Sequence, residues 1–194
     1  MSGAGLTSRA RLVKGVTAVV AAVLASMGLA SATGADPVIG GKTVLKPDRD
    51  TFEGLADMSI GVEATGAATF RRSGAKFPIK GGDVKGGPKG SIEHRGGLAF
   101  FTEGGPGVKF SKFTIRIGKR KVKLFAKSGR SEVRFLDLDL GDATIGGSEG
   151  VNLRIKGADA DLAKQGAEVL SDVFDFPFRK GIPVGVVNVK AQLG

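Results

Sequence analysis

The alternation of apolar and polar residues over positions 110–140 constrains the fold more than any other feature of this sequence. A period of two residues is the pattern of a β-strand with one buried face. A two-residue hairpin loop at Gly118-Lys119 places Val122 and Leu124 on the apolar face. A second such loop at Ser128-Gly129 places the same two residues on the same face. Because the two registers agree, we predict an antiparallel meander with Val122 and Leu124 in the core.

The opposite face of this hairpin is cationic, and we expect Lys121 and Lys123 to be exposed there. After Phe135 the alternation shifts by one residue, since Leu136 and Leu138 then hold the apolar positions. Such a shift turns every later side chain to the other face unless the strand bulges. We therefore predict a bulge or bend at this point.

From Thr51 onward, short runs of Val, Ile, Phe and Leu are separated by glycine pairs such as Gly81-Gly82 and Gly96-Gly97. Such runs indicate strands joined by turns. Residues 158–174 differ, because their apolar side chains recur at helical spacing and Pro177 follows them. The predicted fold class is therefore all-β, an antiparallel β-sandwich or flattened barrel with one α-helix in its C-terminal half.

The first 32 residues have the three parts of a secretory signal segment. Arg9, Arg11 and Lys14 precede an uncharged, apolar run over residues 15–29. This run is shorter than the ~20 residues that span a bilayer, which disfavours the alternative of a permanent anchor. The small residues Ala30-Ser31-Ala32 follow it and predict cleavage directly after them.

Residues 33–50 contain Pro37, Gly40, Gly41 and Pro47 without a sustained helical or strand period. We predict a flexible leader there and a single β-sandwich domain over residues 51–194.

The predicted mature chain is basic, because the first 32 residues hold three of the 29 basic residues and none of the 19 acidic ones. Its net charge is +7, which favours anionic partners. Outside a cell we expect an anionic wall polymer or lipid surface, with no specific nucleic acid and no transmembrane segment in the mature chain. The chain contains no cysteine, so disulfides and thiolate metal sites are excluded.

A cluster of cationic residues surrounds the first predicted hairpin loop: Arg116, Lys119, Arg120, Lys121 and Lys123. It has two interpretations, a polyanion-contact site and a solvated strand face. No Trp or Tyr lies among these residues to stack a base or a sugar.

Two short motifs suggest ligands but have simpler explanations. Gly41-Lys42-Thr43 resembles the end of a phosphate-binding loop, yet Asp36 stands where that motif requires its first glycine. Asp137, Asp139 and Asp142 could bind calcium, yet the leucines between the first carboxylates indicate a strand with a wet acidic face. We predict no metal site from either motif.

His94 is the only histidine of the chain. A lone imidazole can ligate iron, act as a base or have a structural role, with its ring nitrogens hydrogen-bonded within a sheet. No G-x-S-x-G elbow accompanies it, and no further histidine or cysteine could complete a zinc site. We predict no enzymatic activity and keep His94 as a candidate ligand-binding residue.

Four stretches of the chain form a glycine-rich order of strands: "KFPIKGGDVKGGPKGSIEHRGGLAFF", "VKFSKFTIRIG", "LDLDLG" and "FDFPFRKGIPVG". Over roughly residues 52–193 this order resembles the HtaA-type domains of actinobacterial secreted proteins. The family's "H-x-G-G-L" turn is matched by His94, Gly96, Gly97 and Leu98. The resemblance implies an exported β-sandwich module that holds haem at the cell envelope through a tyrosine ligand.

This chain contains no tyrosine, so the family's iron ligand has no counterpart in it. The resemblance assigns His94 no role. We therefore expect a secreted or wall-associated binding module without enzymatic activity. A carrier of haem or of another apolar ligand is the alternative, with His94 and Met58 as the neutral iron donors of the mature chain.

Overall fold

The computed structural model describes residues 35–71, 73–85, 89–118, 122–141, 144–146 and 152–194. Twelve strands and two helices lie within these residues. In chain order they are β1 Ala35–Pro47, α1 Arg49–Asp57, β2 Ile60–Thr65, β3 Thr69–Arg71, β4 Gly74–Lys85, β5 Lys89–His94, β6 Gly97–Thr102, β7 Gly107–Ile117, β8 Val122–Ser128, β9 Ser131–Asp139, β10 Thr144–Gly146, β11 Asn152–Leu162, α2 Lys164–Phe174 and β12 Pro183–Leu193.

Eight of the strands close into an antiparallel barrel in the order β7-β5-β4-β1-β12-β11-β9-β8, with β8 pairing back to β7. The predicted all-β, antiparallel class is confirmed, and of the two architectures left open the structure has the barrel. Strands β5 and β6 pair with successive parts of the same edge of β7, and β2 pairs with β6 beyond the barrel. The junction of β5 and β6 therefore lies beside the middle of β7.

Phenylalanine side chains fill the centre of the core. The ring of Phe135 stacks on Phe110 at a centroid distance of 4.4 Å and lies 5.9 Å from Phe113. The ring of Phe113 also meets Phe77 edge-on at 5.1 Å. These four residues come from β4, β7 and β9, so their packing joins distant parts of the barrel wall.

The first predicted hairpin is present, with a longer loop than the two residues expected. Ile117 pairs with Val122 and Ile115 pairs with Leu124, so four residues separate the paired strands in the sequence. The true register differs from the predicted one by two residues, and an even shift leaves each side chain on its predicted face. Val122 and Leu124 are buried as expected, and Lys123 is half-buried. Lys121 lies outside the described residues.

The second hairpin turns at Gly129-Arg130, one residue later than predicted, because Ser128 pairs with Ser131. The predicted bulge is confirmed at Phe135. The register between β8 and β9 shifts at this residue, and both Phe135 and its neighbour Leu136 are buried.

The flexible leader predicted for residues 33–50 is wrong for the part that the structure describes. Strand β1 lies in the barrel wall between β4 and β12, and α1 begins at Arg49. The sequence of β1 shows no regular alternation of apolar and polar residues, because its register with β12 shifts between Val38 and Gly40. Only Val38, Thr43 and Leu45 are buried in this strand, so its apolar signal is weak. The domain thus begins before residue 51.

The predicted helix over residues 158–174 is shorter in the structure, and the prediction of a single helix missed α1. Residues 158–162 belong to β11, in which Ala158, Ala160 and Leu162 are buried alternately, and α2 begins at Lys164. Helix α1 has nine residues with Phe52 and Leu55 as its large apolar side chains, so its apolar stripe is too short to stand out in the sequence. Its N-terminus is capped by the Asp48 carboxylate, which accepts a hydrogen bond from the Thr51 N–H at 2.9 Å. Neither helix of the described part is long and apolar enough to cross a membrane.

Candidate functional site

An apolar cleft of about 160 Å³ lies between α1, α2 and the loop of residues 175–182. Phe52, Leu55 and Met58 line it on the side of α1, and Leu170 lines it from α2. Its floor is formed by core residues of the sheet, among them Phe135. We call it the apolar cleft.

Most of the side chains that line the apolar cleft carry no polar atom. Thr51 is the exception, and its hydroxyl donates a 2.6 Å hydrogen bond to the Pro183 carbonyl. This bond ties the start of α1 to the start of β12. The Thr51 hydroxyl is thereby satisfied within the protein, so the cleft has the character of a site for an apolar ligand.

The 175–182 loop forms the outer wall of the cleft. Asp175 has a left-handed φ of 50° and ends α2, which turns the chain back over the helix. The Phe178 N–H donates to the Ser171 hydroxyl oxygen at 3.0 Å and holds the loop against α2. Phe176 packs edge-on against Phe178 at 5.1 Å, yet 43% of its surface stays exposed at the rim. An exposed phenylalanine beside an apolar cleft marks a place where a ligand can bury further area.

His94 lies at the end of β5 and is buried, with only 4% of its surface exposed. Its Nδ1 lies 3.0 Å from the Phe113 carbonyl oxygen and its Nε2 lies 2.7 Å from the Thr43 hydroxyl. A carbonyl can only accept, so Nδ1 carries the proton and donates it, and Nε2 accepts from Thr43. Both nitrogens are therefore engaged, and an iron ion could reach Nε2 only by displacing Thr43.

The sheet explains why a histidine occupies this position. Residues Lys112 and Phe113 form a bulge in β7 and pair with neither β5 nor β6. The imidazole provides the hydrogen bond to the Phe113 carbonyl that a neighbouring strand would otherwise provide. This geometry makes His94 part of the sheet's framework.

Burial lowers the pKa of His94 from 6.5 to about 4, against the opposing effect of the hydrogen bond to Phe113. His94 of the unfolded chain therefore binds a proton as the pH falls below 6.5, whereas His94 of the folded chain binds it only at about pH 4. We expect the free energy of unfolding to fall by about 3 kcal/mol as the pH drops through this window. Urea denaturation at several pH values measures this loss.

The matched variant is His94→Gln, which cannot titrate and should lack this part of the pH dependence. Asp161 acts in the opposite direction, because desolvation and then the nearby charges of Asp159, Asp137 and Asp139 raise its pKa. The difference between the wild type and the variant isolates His94. Equal pH slopes for the two proteins would contradict the assignment of a buried, neutral ring.

The predicted cationic cluster is only partly described. The Arg116 guanidinium donates through Nη2 to both carboxylate oxygens of Glu132, at 2.7 and 2.9 Å. It also lies 4.1 Å from the centre of the Phe125 ring. Lys123 stands opposite Asp137 on the neighbouring strand. Both described members thus face a carboxylate, while Lys119, Arg120 and Lys121 lie outside the described residues.

The acidic residues of β9 lie on a strand face rather than in a loop. Leu138 is buried while Asp139 is exposed, which is the alternation expected for a wet face. The Asp137 carboxylate forms an ion pair with Arg134. In the part of the chain that the structure describes, no group of three or more acidic or histidine side chains could hold a metal ion. Asp142 is outside that part.

Sequence reasoning did not find the apolar cleft. Its residues are far apart in the chain, from Thr51 to Val184, and each looks like an ordinary core residue. The one local signal was the stretch Phe174-Asp-Phe-Pro-Phe178, where three phenylalanines recur beside Pro177 in a segment that is too short for a strand.

Comparison with known proteins adds a fold assignment. No family model and no curated protein matches the chain. Among solved structures it is similar to the C-terminal domain of HtaA from Corynebacterium glutamicum, with 15% identity, 82% of this chain and 99% of that chain covered, and a TM-score of 0.63.

Two further structures from the same organism are similar. The N-terminal domain of HtaA has 11% identity and a TM-score of 0.63, with 81% of this chain and 98% of that chain covered. The heme-binding protein HtaB has 13% identity and a TM-score of 0.50, with 83% of this chain and 96% of that chain covered. At these identities the likeness concerns the fold, and in fold this chain is an HtaA-like domain.

Proposed function

We propose that this protein is a non-enzymatic binding module that works outside the cytoplasm and carries an apolar ligand in the apolar cleft. Three features support the proposal: the signal-like first 32 residues, the HtaA-like fold, and a fold neighbour that is named for binding heme. A catalytic role is disfavoured, because the one imidazole is engaged at both nitrogens and no carboxylate of the described residues lines the cleft.

The observation that carries the proposal is the cleft itself. Scattered apolar atoms are common at a protein surface, whereas a contiguous concave surface lined almost entirely by apolar side chains indicates a binding site. A concave apolar surface of this kind is the usual form of a small-molecule site. The aromatic rim at Phe176 extends that surface beyond the cleft.

Haem fits this cleft poorly. Haem iron is held in proteins by His, Cys, Met or Tyr, and this chain has neither Cys nor Tyr. His94 does not line the cleft, and Met58 is the one lining residue of these types. The volume of about 160 Å³ is below the ~300–1,000 Å³ of common ligand sites, so a ligand of this cleft is either small or extends over the exposed rim at Phe176. Haem therefore remains the alternative ligand, supported by the name of the HtaB neighbour.

Titration with the neutral fluorescent probe N-phenyl-1-naphthylamine tests the cleft. Phe178→Ala removes part of the wall and should weaken probe binding by about tenfold or more, since burial of such a ring contributes about 1.5–3 kcal/mol. The matched control is Phe101→Ala, a half-exposed phenylalanine that does not line the cleft. Equal effects of the two variants, or no binding by the wild type, would refute the proposed site.

Haemin titration separates the alternative from the leading proposal. We expect a weak Soret spectrum for both the wild type and His94→Ala, because His94 does not line the cleft and both its ring nitrogens are engaged. A sharp, saturable Soret shift that survives His94→Ala and disappears in Met58→Leu would instead identify haem as the ligand of the cleft.

A further inference from the structure

A second concave site lies on the outer face of the barrel, beside the junction of β5 and β6. It is a groove of about 560 Å³, and we call it the junction groove. We propose that the junction groove binds a ligand that carries two or more phosphate groups. This inference goes beyond the proposed function and does not depend on the apolar cleft.

The charge of the junction groove is strongly positive. Seven charged residues line it, five of them basic. Lys80 is paired with Glu93 at 3.6 Å, and Glu132 is held by Arg116. Among the residues that the structure describes, the remaining four basic residues form no ion pair: Arg95, Lys109, Lys112 and Lys127. Lys127 stands opposite Glu132 on β9, whose carboxylate is bound by Arg116. Four exposed cations on one concave surface concentrate a field that attracts multiply charged anions.

The backbone of β7 is bent to bring one of these cations into the groove. Lys112 has a φ of 51°, in the left-handed region that disfavours a lysine. Phe110 and Phe113 are both buried, so the two residues between them share the outer face. Regular alternation would have turned Lys112 inward. A strained residue that is kept at a concave surface points to a functional constraint.

One wall of the groove offers a hydroxyl group without a partner. The Thr65 hydroxyl oxygen is buried and has no hydrogen bond among the described residues. Thr65 lines the groove together with Gly66 and Gly96, which carry no side chain that would block access. Because that oxygen is buried, it can donate to a ligand only after rotation about the Thr65 Cα–Cβ bond.

These features select the class of ligand. A single carboxylate would satisfy one or two of the four cations, whereas two or more phosphates can engage all of them. Among the described residues of the lining Phe113 is the one aromatic residue, and it is buried in the core, so these residues offer no platform on which a base could stack. The phosphates could belong to a soluble oligophosphate or to lipid headgroups.

Calorimetric titration of the full chain with sodium tripolyphosphate tests the proposal. The test variant is Lys112→Asn with Lys127→Gln, since asparagine tolerates the left-handed backbone at position 112. The control is Lys42→Gln with Lys190→Gln, two exposed lysines that face each other on β1 and β12. We expect the test variant to bind about tenfold or more weakly and the control to stay within about twofold of the wild type.

Equal losses in the two double variants would overturn the proposal, because they would indicate binding to the general basic surface. Vesicles that contain cardiolipin, whose headgroup carries two phosphates, identify the source of the phosphate. Vesicle binding that depends on Lys112 and Lys127 supports the headgroup, and tripolyphosphate binding alone supports a soluble ligand. A wild type that binds neither would refute the site. Phe178→Ala should retain tripolyphosphate binding, which keeps this test separate from that of the apolar cleft.

Discussion

Gly97→Ala is expected to destabilise the domain by more than about 4 kcal/mol, at the upper end of single substitutions. A Cβ on Gly97 would collide with the Phe110 carbonyl oxygen and lie 3.0 Å from the Cα of Ser111. Both obstacles are backbone atoms of β7, and Gly97 pairs with Ser111 directly. The methyl group can therefore be accommodated only if β6 separates from β7.

The control is the same substitution at Gly54, in helix α1. No atom lies within 4 Å of a Cβ at that position, so Gly54→Ala should stabilise the protein by about 0.5–1 kcal/mol through helix propensity. Urea denaturation of both variants gives the two free energies. A Gly97→Ala protein within about 1 kcal/mol of the wild type would mean that β6 and β7 do not pair in this register.

Phe135→Ala is expected to cost about 3–5 kcal/mol, the range for a buried phenylalanine. The side chain is 2% exposed and its ring contacts three other rings, those of Phe100, Phe110 and Phe113. Because Phe135 is the extra residue of the β9 bulge, its neighbours in the strand cannot take its place. Truncation therefore leaves a cavity at the centre of the core.

Phe176→Ala is the matched control, since the same atoms are removed from a side chain that is 43% exposed. We expect a loss below about 1 kcal/mol for this variant. Thermal and urea denaturation should rank the two variants in this order. Similar losses for both would show that the ring cluster around Phe135 is not the centre of the core.

Both predictions concern residues whose local structure the sequence predicted, but whose neighbours in the fold it did not. The shift in alternation at Phe135 predicted the bulge correctly, because a change of strand parity is a local property of the chain. The glycine pair Gly96-Gly97 predicted a turn, but the collision with Phe110 depends on which strand lies beside β6. Which strands pair depends on how the whole barrel assembles, and no local sequence pattern predicts it.

The candidate sites show the same division. His94 was singled out as the only imidazole, yet its partners Thr43 and Phe113 lie 51 and 19 residues away in the chain. Arg116 was assigned to a cationic cluster, but Glu132, 16 residues away, accepts hydrogen bonds from its guanidinium. The sequence shows how many charged residues the chain has. Which of them form ion pairs depends on distances that only the folded chain defines.

The sequence by itself determined the all-β class, the faces of β7, β8 and β9, and the existence of a helix before Pro177. These properties depend on side-chain periods of two and of about 3.6 residues, which are set by local backbone geometry. Only the tertiary structure decided that β1 closes the barrel between β4 and β12. It also decided that fourteen residues from Thr51 to Val184 line one apolar cleft and that four separate cations meet in the junction groove. Sites of this kind are formed by contacts between distant segments, and those contacts exist only once the sheet has closed.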